Sequence, residues 1–168
     1  LKRFPKSTAL YIIAGDAHTK LKQFDAAIKS YKKAINLKPD FAVSHFNLGV
    51  AFQDKGNSEA ALESYRKATK INPNYLEAYF NLGDIQQKKG NLNAAIEHYK
   101  KVLTINPNHS KAWNNMGNAL KAKGEKEASI RYFDKALKLD PEFAEAHNNK
   151  GNFLRNKGDL NESILFFD

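Results

Sequence analysis

The chain has 168 residues, 42% of them hydrophobic and 27% charged, the balance of one folded, water-soluble domain. No run approaches the ~20 apolar residues of a membrane-spanning helix, and no basic, apolar, small-residue leader opens it, so a cytoplasmic location is the expectation. Cysteine is absent, which excludes disulfides and thiolate metal sites, while a net charge of +9 admits an acidic partner or nucleic acid as well as a plain lysine-rich surface.

In chain order, residues 1–7 read as the end of an earlier unit, because Phe4-Pro5 matches the dipeptides that close later ones. Five units then follow, over 8–41, 42–75, 76–109, 110–143 and 144–168. The second is the clearest. Its first helix, from Phe41 to Lys55, carries Val43, Phe46 and Val50 at helical spacing. Lys55-Gly56-Asn57 stops it, since Gly supplies the left-handed residue that helix ends commonly need. A second helix, Ala60 to Ile71, repeats the spacing with Leu62, Tyr65 and Ala68. It stops at Asn72-Pro73, because the residue before Pro avoids the helical region. Gly49 and Ala61 are small where the two helices approach, and Tyr65 fills the space beside them.

The other units depart from this pattern in places. The first has Ile13-Ala14-Gly15 for Asn-Leu-Gly and Lys22 at the turn glycine. His18 and Gln86 replace larger apolar residues of their column, which reads as weaker packing. Lys150 stands where Leu48, Leu82 and Met116 do, so it must snorkel or be paired. The fifth unit breaks off inside its second helix. That leaves Ile164, Leu165, Phe166 and Phe167 without a following helix, and the natural protein is expected to continue on both sides.

All of this keeps one period of 34. Gly15, Gly49, Gly83, Gly117 and Gly151 form one column. Pro5, Pro39, Pro73, Pro107 and Pro141 form a second, and Gly56, Gly90, Gly124 and Gly158 a third. Ala27, Ala61, Ala95, Ser129 and Ser163 make a fourth, and Tyr31, Tyr65, Tyr99, Phe133 and Phe167 an aromatic fifth. With Asn47-Leu48-Gly49 and Asn81-Leu82-Gly83 in first helices, and Ala26-Ala27-Ile28, Ala60-Ala61-Leu62 and Ala94-Ala95-Ile96 in second ones, the chain resembles the tetratricopeptide repeat along its whole length. The resemblance implies an all-α fold, a right-handed α-solenoid (superhelix) of antiparallel helix-turn-helix repeats. First helices would line a concave face and second helices a convex one.

No chemistry of catalysis stands out. His18, His45, His98, His109 and His147 never fall at the i, i+4 spacing of a helical metal site. Each Gly belongs to a repeat column rather than to a phosphate-binding loop. The expectation is a non-enzyme, without metal or cofactor.

Binding is expected on the concave groove, which repeats its chemistry. Asn47, Asn81, Asn115 and Asn149 form one column of helix interiors, where Asn is a mediocre helix former. An amide both donates and accepts, so it can pair with a peptide backbone without reading side chains. First helices about 10 Å apart match about three residues of extended peptide. This ladder resembles that of the repeat domain of O-linked N-acetylglucosamine transferases, which implies binding of substrate polypeptide. Asn118 and Asn152, with Asn114 and Asn148, widen the polar strip. Phe46, Phe80, Val43 and Val50 make the second and third units more apolar, and Lys111 joins the site from the fourth. The competing structural role for the ladder is hydrogen bonding between neighbouring helices.

The two-carboxylate clamp of chaperone-binding repeats fails here, since Ile12, Phe46 and Phe80 stand where it needs Lys. Groove charges cancel, so the excess lies on second helices, with Lys33, Lys67, Lys101 and Lys135 facing outward. The leading expectation is a protein-protein interaction scaffold holding an extended polypeptide. The alternatives are a substrate-recruiting domain of a larger enzyme such as a glycosyltransferase, a self-assembling scaffold stacked end to end through its terminal repeat, and an RNA-binding solenoid.

Overall fold

The computed structural model describes residues 7–157, and those residues form nine helices and no strand. Gly158, Ser163, the apolar run 164–167, Phe4 and Pro5 lie outside them. The helices are α1 (Thr8–Lys20), α2 (Phe24–Leu37), α3 (Ala42–Asp54), α4 (Ser58–Ile71), α5 (Leu76–Lys88), α6 (Leu92–Ile105), α7 (Ser110–Ala122), α8 (Lys126–Leu139) and α9 (Ala144–Lys157). They fall into two compact units, the first running to Ala78 and the second beginning at Tyr79, inside the first turn of α5.

The turn after each first helix is set by one left-handed residue. Gly56, Gly90 and Gly124 have φ of 85, 77 and 88°. Lys22 takes the same position at φ 57°, so a side chain sits where glycine would be unstrained. Around Gly56, Gly56 N donates to Gln53 O (2.9 Å) and Asn57 N to Phe52 O (2.8 Å), which satisfies carbonyls the helix leaves open. Asn57 then accepts from Ala60 N at 3.1 Å and caps α4. Second helices end on extended residues ahead of proline, Asn72 at φ −122° and ψ 99° among them.

Each helical hairpin closes on a glycine facing an aromatic ring. A Cβ on Gly49, Gly83 or Gly117 would lie 2.6, 2.5 or 2.6 Å from Tyr65, Tyr99 or Phe133. Those three rings are wholly buried. In the first unit Tyr31 joins Ala27, Ile28, Leu48 and Ala51 in a core cluster; in the second, Tyr99 joins Ala95, Ile96, Met116, Ala119 and Leu120.

The departures from the pattern have local compensation. Lys150 pairs with Asp134 at 2.7 Å. His18 Nδ1 lies 2.8 Å from Gln23 Oε1, and Asn91 donates to the buried Gln86 at 2.8 Å, so the two polar substitutes tie down their turns. His45, Trp113 and His147 share a column and reach the carbonyls of Pro39, Pro107 and Pro141 at 2.8, 2.8 and 2.7 Å. That is a structural use for two of the five histidines. Among the described residues no helix is long and apolar enough to cross a membrane.

Candidate functional site

The expected ladder is distributed over both units, and most of it is engaged within the protein. In the first unit Asn47 Nδ2 donates to Asp16 Oδ1 at 3.1 Å, and the Tyr31 hydroxyl donates to the same oxygen at 2.7 Å. In the second unit the arrangement recurs: Asn115 Nδ2 donates to Asp84 Oδ1 at 2.9 Å and the Tyr99 hydroxyl at 2.7 Å. Asn149 Nδ2 donates to Asn114 Oδ1 at 2.9 Å. Asn81 has no side-chain hydrogen bond among the described residues.

These contacts determine how the amides sit. A carboxylate only accepts, so the NH₂ of Asn47 and Asn115 must face Asp16 and Asp84. One donor is committed; for Asn47 the second N–H and both lone pairs of Oδ1 have no partner among the described residues, while Asn115 Oδ1 already accepts one hydrogen bond, from Asn114 at 3.3 Å, and keeps one lone pair. Asn114, expected on the polar strip, is instead fully buried: it donates to Glu145 Oε1 at 2.9 Å and to Asn115 Oδ1 at 3.3 Å. Asn152 accepts from Arg155 at 3.0 Å.

In the second unit these side chains border an open notch of about 380 Å³, lined by Asp84, Gln87, Lys88, Tyr99, Asn115, Asn118 and Glu145. Asn115 and Asn118 of the expected site meet here; Lys111, which is exposed, does not line it. Burial pushes the Asp84 carboxyl above the ordinary 3.8 of an aspartate, against the hydrogen bonds from Tyr99 and Asn115, which pull it down. Burial and the adjacent carboxylate push the Tyr99 hydroxyl well above its ordinary range, so it stays a neutral donor.

The apolar members lie elsewhere. Phe46 stacks on Tyr75 with centroids 5.0 Å apart and tilts against Tyr65 at 5.6 Å. Phe80 packs 5.1 Å from His109 and 6.0 Å from Tyr99. Both are half-buried. The first unit also has an apolar cleft of about 430 Å³, lined by Ile12, Ile13, Phe41 and Val43 among others. Lys33, Lys67, Lys101 and Lys135 are exposed; Lys33 lies over Tyr11, Lys135 over Trp113, and Lys67 pairs with Glu63. Among the described residues no group of three or more His, Cys, Asp or Glu is placed to hold a metal ion.

Sequence reasoning missed the carboxylate partners. The signal was present: Asp16 precedes Asn47 and Asp84 precedes Asn115 by the same 31 positions, whereas Val50 holds that place ahead of Asn81.

Family models described as TPR repeat match residues 15–56 and 51–90. Models described as tetratricopeptide repeat match 76–109 and 110–143, and again 132–164. No curated protein sequence matches. Among solved structures, a MamA protein is 27% identical, with a TM-score of 0.86 over 95% of this chain and 87% of that one. MamA from Desulfovibrio magneticus RS-1 is 21% identical, with a TM-score of 0.88 over 95% and 90%. YrrB, described as a TPR protein with an unusual peptide-binding site, is 19% identical, with a TM-score of 0.81 over 98% and 85%.

Proposed function

The chain belongs to the tetratricopeptide repeat family of all-α solenoid interaction scaffolds, and on that footing we propose that it binds an extended polypeptide along its first-helix face. The observation that carries the reading is the fixed orientation of the ladder amides. Asp84 holds Asn115 by its NH₂ and turns the rest of that amide toward the notch, where Asn118 stands beside it. An amide held this way costs less side-chain entropy when a ligand binds than a mobile one. It still offers an acceptor to a backbone N–H and a donor to a backbone C=O. Asn81, which makes no side-chain hydrogen bond among the described residues, can serve in the same way.

The test is a display library of extended peptides selected against the wild-type array. Selected binders are then titrated against Asn81→Ala and Asn118→Ala, two changes that remove no internal hydrogen bond described above. Loss of affinity by roughly fivefold or more in either variant supports the reading. Absence of binders, or binders that keep their affinity in both variants, overturns it.

A further inference from the structure

The notch of the second unit is short of donors. Asp84 Oδ1 takes both the Tyr99 hydroxyl and Asn115 Nδ2, while Oδ2 receives no donor among the described residues. Glu145 Oε1 takes Asn114 Nδ2, and its Oε2 likewise receives none. Neither carboxylate makes an ion pair among the described residues, in a chain with a net charge of +9. Lys88 lies on the rim and draws on Asp84 only at longer range. Asp84 therefore stays half-buried without a neutralising cation, and Glu145 stands across the notch with one oxygen open.

The set is also not an accident of one repeat. Asp16, Lys20, Tyr31, Asn47 and Glu77 each stand two repeat periods ahead of Asp84, Lys88, Tyr99, Asn115 and Glu145. The corresponding positions 50, 118 and 152 are Val, Asn and Asn, so the five-residue set occurs in the first and third repeats only. In the first unit it keeps the same hydrogen bonds, from Tyr31 and Asn47 to Asp16.

We propose that the notch bordered by Asp84, Asn115, Asn118 and Glu145 is a subsite for a cationic side chain, lysine or arginine, of the bound polypeptide. This rests on the peptide-binding reading above and names the chemistry of one position in that ligand. An ammonium brings three N–H donors and a guanidinium five, with no acceptor, the complement of two carboxylates and two amide oxygens. A cation entering here meets opposite charge that burial has partly desolvated, where the attraction is stronger than at an open surface. An anionic side chain would meet two like charges and be excluded. The lysines of the second helices do not cancel this preference, since exposed charges are screened over about 8 Å at physiological salt.

The experiment uses the full chain and the peptides selected as above. Binders should be enriched in Lys or Arg at one position. A synthetic binder with that residue replaced by citrulline or norleucine should lose roughly tenfold in affinity for the wild type. The same replacement should cost little against Asp84→Asn with Glu145→Gln. In those variants each new amide oxygen still accepts from Tyr99, Asn115 and Asn114. Glu145→Gln alone, at an exposed side chain, gives the same readout if the double variant does not fold. Binders with no cationic preference, or a preference unchanged in the variants, overturn the subsite and leave the peptide-binding reading standing. A library that yields no binders overturns both.

Discussion

Asn115 and Asn81 occupy the same column one repeat apart, and the structure gives them opposite roles. Asn115→Ala removes the 2.9 Å hydrogen bond to Asp84. A hydrogen bond to a charged group contributes about 1.5–3 kcal/mol. Replacing Asn by Ala inside a helix returns about 0.6 kcal/mol of propensity, so the expected net loss is about 1–2 kcal/mol. Asn81 has no such bond, and Asn81→Ala should leave stability unchanged or raise it by about 0.5 kcal/mol. The gap of about 2 kcal/mol corresponds to about 1 M in urea midpoint at an m-value of about 2 kcal/mol/M. Urea titrations followed by far-UV circular dichroism measure it directly. Equal losses for the two variants would refute the reasoning, because position in the column rather than the aspartate partner would then decide. The result also bears on the proposed function: a fourfold alanine variant of the ladder would lose folding stability together with any proposed peptide contact, whereas Asn81→Ala separates the two.

Lys22 sits at φ 57° where its three counterparts among the described residues are glycine, so Lys22→Gly should raise the midpoint. Relief of about 1–2 kcal/mol exceeds the roughly 0.5–1 kcal/mol that glycine's unfolded-state freedom takes back; a lowered midpoint would contradict this. Gly117→Ala would push a Cβ to 2.6 Å from Phe133. A loss of about 1–2 kcal/mol is expected, overpacking less the helix-propensity gain, and Phe133→Leu in the same chain should recover part of it. A double-mutant cycle with no coupling would deny the contact. The Asp84 carboxyl titrates above its unfolded value because it is buried, so the folded state holds its proton more tightly. The stabilisation this gives is present below the ordinary value near 3.8 and is lost as pH rises through the raised folded value. Asp84→Asn, which cannot titrate, should therefore gain on the wild type progressively as pH is raised from below the ordinary value near 3.8 through the raised folded value. A difference independent of pH, in paired urea titrations, would mean that Asp84 is not desolvated.

The fold was legible in the sequence because each column has one physical cause. Glycine at 49, 83 and 117 is required by a ring 2.5–2.6 Å from where a Cβ would be, and Tyr65, Tyr99 and Phe133 are those rings. Prolines end second helices through their own sterics. Causes that act within one hairpin recur with every repeat and so announce themselves. The site was less legible because its determinants pair across repeats. Asn114 and Asn115 are the same residue type, adjacent, and by composition equally eligible as ladder members. One step along a helix turns a side chain by about 100°. That turn buries Asn114 against Glu145 and leaves Asn115 on the notch. Each pairs at an offset of 31 positions, from Asp84 to Asn115 and from Asn114 to Glu145, three short of the period. Such a shortfall is close to one helical turn, so the partner lies one turn along on the neighbouring first helix. A search of columns alone never compares positions offset by a turn. Val50 breaks the sequence offset for Asn81, the ladder member that makes no side-chain hydrogen bond among the described residues.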